Sequence, residues 1–427
     1  MHDFYLKRGK LYAEKHSIDA LAKKYGTPLY IYSANTLKQH YHKLRKALDS
    51  LDIRICYAMK ANSNLAVLSL LAKEGASFDI VSGGELFRVL KAGGKAKDCT
   101  FAGVGKTRQE IEYAIKKGVY CFIVESSAEL DFIHHIAKKL KKKAPIAFRV
   151  NPDVDAGTHE KITTGTYKNK FGIAYNEVEG LYERAAKMKY LKMCGVQIHI
   201  GSQITTPGPF KAAIEKMIPM VKRLRDQYGI EFFDIGGGIG IVYDPALESG
   251  SDQWWQNQNE PPMTPETYAN VLVPLLKPLG LKIMIEPGRF IAGNAGILVS
   301  EVVYIKRTEK KNFVIVNAAM NDLVRPSMYE AYHEIVPLKA KKGEYISSDV
   351  VGPICESGDT FCKDQLLAPL EAGDRLAFLS AGAYGFVMAS NYNSRPRAAE
   401  LLVDGSKVHL ARKRESERDL IRGEAVL

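Results

Sequence analysis

No run of apolar residues in this chain approaches the roughly 20 needed to cross a bilayer, and its opening, MHDFYLKRGK, lacks the apolar stretch of a secretory signal. A cytoplasmic protein with no membrane partner is expected. Low-complexity tracts are missing too. With 46% hydrophobic and 25% charged residues over 427 positions, the chain can bury a sizeable core in two or three domains. Cysteine is sparse. The six present form no C-x-x-C pair, so a disulfide framework or a metal site is poorly supported. Cys56, Cys99, Cys121 and Cys194 fall inside short apolar runs, where cysteine behaves as a small buried hydrophobe; Cys355 and Cys362 come later. No recognition helix, aromatic platform or zinc finger accompanies the net charge of +12. The densest basic run, Lys138 to Lys143, follows an apolar helical stretch and reads as a solvated helix end, so nucleic acid is not expected as a partner.

What is present is an alternation. Eight short apolar runs recur from residue 53 onward: Ile53–Met59, Phe78–Val81, Cys99–Phe101, Cys121–Val124, Ile146–Val150, Cys194–His199, Phe232–Ile235 and Lys282–Ile285. Helix-patterned segments such as Ala66–Glu74, Glu85–Ala92, Arg108–Lys116 and Glu129–Lys139 separate them. Strands alternating with helices imply parallel βαβ units, and eight of them predict a closed (β/α)8 barrel. After about Val299 the runs Val299–Ile305, Phe313–Val316, Asp349–Val351 and Arg375–Leu379 are divided by Gly, Pro and Asp, the texture of a mainly β domain of sandwich or barrel type. The first 32 residues hold a helix-like Ile18–Tyr25 and a β-rich Leu29–Tyr32 that suit that second domain. The expected division is a barrel over 33–295 and a β domain from 1–32 with 296–427. The stretch Ser249–Pro262, with its two tryptophans, reads as a long exposed loop.

In such barrels the reactive residues sit where strands end. Strand one is followed by Lys60. Strand two carries Asp79 and leads to Ser82-Gly83-Gly84-Glu85; strand five ends in Arg149 and Asn151. His199 and Ser202 follow strand six, Gly236, Gly237 and Gly238 strand seven, and Glu286, Gly288 and Arg289 strand eight. The glycines let backbone N–H groups approach an anion closely, or form a plain turn; Ile241 in the last required Gly position disfavours G-x-G-x-x-G. A second near-miss, Gly105-Lys106-Thr107, has Thr100 where a phosphate-binding P-loop needs its first Gly, and Lys106 then starts a solvated helix. Read alone, Lys60 is as easily a surface lysine after a strand, and His199 a satisfied core histidine. Together, a lysine at a buried strand end, an anion cradle and a carboxylate across the barrel imply a pyridoxal phosphate site. Partial desolvation would favour the neutral amine, Glu286 would hold the proton of the pyridine nitrogen, and the His199 ring would stack on the pyridine face.

Six segments carry a resemblance: Tyr57-Ala58-Met59-Lys60-Ala61-Asn62, His199-Ile200-Gly201-Ser202-Gln203, Gly236-Gly237-Gly238, Glu286-Pro287-Gly288-Arg289, Cys355-Glu356-Ser357-Gly358-Asp359 and Gly382-Ala383-Tyr384. In kind and order they resemble the fold-type III pyridoxal-phosphate decarboxylases, over essentially the whole chain to its Arg-Lys-Arg-Glu-Ser tail. Asn151 to His159 and Ile162 to Gly165 resemble the diaminopimelate decarboxylase family within that group, while the Trp254-Trp255 loop departs from it. The resemblance implies that Lys60 carries pyridoxal 5'-phosphate as an imine and that meso-diaminopimelate is converted to lysine and carbon dioxide. It further implies that Gly237, Gly238, Ser202 and Tyr384 bind the phosphate and that Arg149 and Glu85 support the pocket. Arg289 and Arg325, with the Tyr329 hydroxyl, suit the distal carboxylate of the substrate; Glu356 suits its ammonium, and Tyr384 is implied to touch the substrate as well as the phosphate. Cys355 or Lys60 would reprotonate the α-carbon. In that family Cys355 and Glu356 come from the neighbouring subunit, which implies a homodimer. The competing readings are a same-fold decarboxylase of ornithine, arginine or carboxynorspermidine, a catalytically silent cofactor-binding regulator, and a racemase. Arg325 counts against ornithine, Lys60 and Cys355 against a silent regulator, and the Cys-Glu-Ser element against a racemase.

Overall fold

The computed structural model describes residues 3–154 and 170–427. Asp155–His159 and Ile162–Gly165 of the family-like segment therefore lie outside the described residues. The chain divides into two compact units, His40–Ile241 with Pro261–Phe290, and Met1–Gln39 with Val242–Glu260 and Ile291–Leu427.

The first unit is a closed parallel barrel. Its strands are Ile53–Ala58, Ser77–Ile80, Cys99–Phe101, Cys121–Val124, Ala144–Asn151, Leu191–Ile198, Phe232–Asp234 and Lys282–Ile285. Each pairs in parallel with the next, and strand eight closes on strand one with Ile283 opposite Ile53. Apolar runs buried along their length build a sheet covered on both faces. Strand six starts three residues before its apolar run because hydrogen bonding to Ala144–Ile146, not apolarity, carries it past exposed Lys192. Inside the barrel Cys56, Cys121, Cys194, Phe232 and Met284 pack together. Gly195 makes room there, since a Cβ would lie 2.4 Å from the Phe232 ring.

Turn chemistry after the strands starts the helices. Asn64, Ser82, Thr107 and Ser126 each accept a backbone N–H as the N-cap of Leu65–Lys73, Gly83–Lys91, Arg108–Lys117 and Ser127–Leu140. One expectation fails here. Lys106 does not start a solvated helix but turns inward, buried, donating to the carbonyls of Gly103 and Ile123 and to Glu129 Oε1 at 2.6 Å. An inward carboxylate, invisible in a linear reading, makes that burial tolerable. Lys141–Lys143 are exposed beyond the helix end.

The second unit is built on a nine-stranded, mostly antiparallel sheet in which the long strand Gly296–Arg307 pairs with Leu29–Ser33, Asn312–Val316 and Arg375–Phe378. Ile18, Leu21 and Ala22 of the early helix Ile18–Tyr25 share one core with Ile297, Val299, Leu379 and Leu401. The Ser249–Pro262 stretch is not wholly loop. Ser251 accepts from the N–H of Trp254 and caps a short helix, Asp252–Gln256, with Trp255 Nε1 donating to the Ser249 carbonyl at 2.8 Å. Among the described residues no helix is long and apolar enough to cross a membrane.

Candidate active site

The strand-end residues singled out above gather at one mouth of the barrel. Lys60 Nζ lies 3.1 Å from Asp79 Oδ2. The lysine side chain keeps 39% exposure while Asp79 is fully buried, so the amine faces a carboxylate and not an apolar wall. Asp79 Oδ1 is buried without a hydrogen-bond partner among the described residues.

Two further carboxylates lie deeper. Glu286 Oε1 accepts from Gln197 Nε2 at 2.7 Å, and Asp234 Oδ1 accepts from the N–H of Gly236 at 2.9 Å. Burial, then the charges of Asp234 and Asp79, push the Glu286 carboxyl well above the usual range, and Asp234 is likewise raised by burial. A charge on Asp234 thus disfavours ionisation of its buried neighbour Glu286. Asp234 also hydrogen-bonds the side chains of Glu286 and Gln197, and Gln197 Oε1 is buried without a hydrogen-bond partner among the described residues. Neither residue had been picked out in sequence. Asp234 had a signal, a lone acid in an apolar run directly before the glycines; Gln197 had only its alternation with Val196 and Ile198.

The glycines are required sterically. A Cβ on Gly237 would sit 2.1 Å from the Glu286 carbonyl oxygen and one on Gly238 2.5 Å from that of Gly201, and Gly236 and Gly238 have φ of +72° and +108°. The Gly236 N–H is committed to Asp234, and the Gly237 N–H donates to His199 Nδ1 at 3.1 Å. At the end of strand eight Arg289 Nη2 donates to Ser202 Oγ at 3.0 Å. Desolvation, then the charges of Arg149 and Lys60, hold the His199 imidazole well below its ordinary pKa, so the ring is neutral. Gly288 packs on the strand-one end, where a Cβ would lie 3.0 Å from the Ala58 carbonyl oxygen.

Arg149 is buried, 3.5 Å from Glu125 Oε2. Glu85 Oε2 accepts from the N–H of Val81 at 2.7 Å, yet burial pushes its carboxyl up to about 7, helped by the charge of Asp79.

The remaining expected site residues belong to the sheet unit. Arg325 opens the short helix Arg325–Tyr329, is buried, and lies 2.8 Å from His333 Nε2; its guanidinium rests 4.9 Å from the Tyr243 ring centre. Tyr329 is half-buried at the end of that helix. Cys355 and Glu356 are exposed; the Cys355 N–H donates to Asn393 Oδ1 and Glu356 Oε1 accepts from the N–H of Gly358. Tyr384 adopts φ of +56°, a strained conformation for a side chain of its size, of the kind that concentrates at functional sites.

The barrel residues fit pyridoxal phosphate. Three buried carboxylates around one lysine leave negative charge and acceptor oxygens for a protonated ring nitrogen, a neutral flat imidazole lies nearby, and Arg289 with Ser202 suits an anion. Known proteins agree. Residues 34–293 match the family model for the pyridoxal-binding domain of pyridoxal-dependent decarboxylases. A diaminopimelate decarboxylase of Pseudomonas fluorescens is 46% identical over 429 residues, covering 100% of both chains. Among solved structures, the diaminopimelate decarboxylase of Helicobacter pylori, complexed with L-lysine, superposes with a TM-score of 0.88 at 42% identity, covering 95% of this chain and 98% of that one. That of M. jannaschii, also with L-lysine, gives 0.91 at 36% identity, covering 99% and 98%. The chain belongs to the diaminopimelate decarboxylase family of pyridoxal-dependent decarboxylases.

Proposed function

We propose that this protein decarboxylates meso-2,6-diaminopimelate to L-lysine and carbon dioxide, the last step of lysine biosynthesis, as a cytoplasmic homodimer with shared active sites. The observation that carries the reading is Lys60 facing Asp79 beside the Asp234–Glu286 pair, in a chain alike end to end to diaminopimelate decarboxylases. Pyridoxal phosphate, when bound, supplies the electron sink for the pair that carbon dioxide leaves behind. Lys60 holds the cofactor through its amine, and Asp79 orients that amine. Glu286, backed by Asp234 and Gln197, would hold a proton at the ring nitrogen, and His199 would offer its flat ring to the cofactor. Ser202, Gly237, Gly238, Gly288, Arg289 and Tyr384 serve its anionic end, while Glu85 and Arg149 support the pocket.

For the substrate, Arg289 and Arg325 take the distal carboxylate with the Tyr329 hydroxyl, and Glu356 takes the ammonium. Cys355, or Lys60, returns a proton to the α-carbon. A decarboxylase of ornithine or arginine has no use for a buried arginine aimed at a carboxylate, so Arg325 favours diaminopimelate. The test is to incubate purified protein with pyridoxal phosphate and each of diaminopimelate, ornithine, arginine and carboxynorspermidine, measuring released carbon dioxide. Release from diaminopimelate, with lysine formed in equal amount, is expected. Comparable release from ornithine or arginine overturns the proposal.

A further inference from the structure

Glu125 and Phe171, both outside the proposed chemistry, lie against Arg149. The Glu125 carboxylate lies 3.5 Å from its Nη1, and the Phe171 ring centre lies 4.7 Å from its guanidinium carbon. Glu125 is buried and both its oxygens are engaged. Oε1 accepts from the N–H of Gly103 at 2.9 Å, and Oε2 from that of Gly172 at 3.1 Å. One carboxylate thereby joins the chain after strand three to the Phe171–Gly172 turn, which returns beside strand five with Ile173 opposite Val150. Gly172 has φ of +73°, and a Cβ there would come 3.2 Å from the backbone nitrogen of Asn151.

Behind Glu125 a second ion pair lies next in line. Its backbone N–H donates to Glu129 Oε2 at 2.8 Å, and Glu129 Oε1 receives Lys106 Nζ. Lys106, Glu129, Glu125 and Arg149 thus form a buried chain anchored to five backbone groups, the N–H and carbonyl of Gly103, the carbonyl of Ile123, and the N–H groups of Glu125 and Gly172. A buried ion pair adds little net stability, because desolvation offsets the attraction. Its effect lies in geometry: a long side chain with many rotamers is confined to one.

We infer that Glu125 is a positioning residue for the proposed decarboxylation, fixing the Arg149 guanidinium at the barrel mouth between its own carboxylate and the Phe171 ring. The inference rests on the reading that Arg149 serves the cofactor pocket. Holoenzymes carrying Glu125→Gln, Arg149→Gln and both substitutions should be compared with the unmutated one for kcat and KM on diaminopimelate and for the pH titration of the bound cofactor's visible band. Arg149→Gln should lower kcat. Glu125→Gln should lower it on the order of tenfold, with KM changed less than about twofold and the titration displaced, as for a lost support behind an active-site group. Glu125→Asp should recover part of the loss. In the Arg149→Gln background Glu125→Gln should add less than about twofold, since residues acting through one another are not additive. If Glu125→Gln does not fold, Phe171→Leu tests the other wall and should reproduce the kcat loss. A lower melting temperature with kcat and titration unmoved, fully multiplicative losses, or a Phe171→Leu enzyme of unmutated kcat overturns the inference. An Arg149→Gln enzyme of unmutated kcat overturns the assignment of Arg149 itself, and the inference with it.

Discussion

Arg325 Nη1 lies 2.8 Å from His333 Nε2, and His333 Nδ1 lies 2.8 Å from the carbonyl oxygen of Leu379. A carbonyl only accepts, so the imidazole carries its hydrogen on Nδ1 and offers the Nε2 lone pair to the guanidinium. The Tyr243 ring meets His333 edge-on at 5.6 Å and also lies against the arginine. The arginine is therefore oriented before substrate arrives, which lowers the entropic cost of binding. Arg325→Ala should cost about 2–5 kcal/mol in kcat/KM for diaminopimelate, with cofactor content unchanged. His333→Leu keeps the charge but removes its acceptor, and a smaller loss expressed mainly in KM is expected. Steady-state kinetics decide both, and equal activity of the unmutated enzyme on lysine and diaminopimelate would remove the distal-carboxylate role.

Lys60 offers a direct chemical test. Lys60→Ala should abolish turnover and the visible absorbance of the bound cofactor. Borohydride reduction of the loaded enzyme followed by peptide mapping should place the label on Lys60. Label on any other lysine contradicts the assignment.

Glu85 gives a pH prediction. Its folded carboxyl, raised by burial to about 7, binds a proton more tightly than the unfolded side chain, which titrates near 4.3. Its contribution to stability is therefore greatest below about 4.3, falls as pH rises through 7 and levels off above. Glu85→Gln should flatten that slope. Urea denaturation of both proteins between pH 5 and 8 measures it, and parallel curves would show that Glu85 does not titrate in this window.

The proposed shared site predicts complementation. Lys60→Ala and Cys355→Ala homodimers should each be nearly inactive. Subunit exchange between them should form hybrids in which one site carries both substitutions and the other neither. Random pairing makes about half the dimers hybrid, so roughly a quarter of the unmutated activity should return. If exchange is shown by mass spectrometry and activity stays at the parental level, Cys355 does not serve a site shared between chains.

The barrel was legible because its strands are short apolar runs and its helices begin at polar caps, both local patterns. Cys99–Phe101, Cys121–Val124 and Lys282–Ile285 were read to the residue. The glycines after strand seven were legible for the same reason, since close backbone approach admits no other residue. Lys106 was misread because its solvation depends on Glu129, which a strand and a helix turn bring to it.

By itself, then, the order of residues along the chain determined the alternation of strand and helix, the mouth at which chemistry gathers, and the candidate lysine, histidine, glycines and glutamate. Periodicity and turn preference act over a few residues, and a reactive side chain announces its type. Tertiary structure alone decided that burial raises the Asp234 and Glu286 carboxyls, that it holds the His199 imidazole below its ordinary pKa, that Arg325 leans on His333, and that Glu125 lies against Arg149. Charge state and orientation depend on desolvation and on partners far away in sequence, and neither exists until the strands have closed.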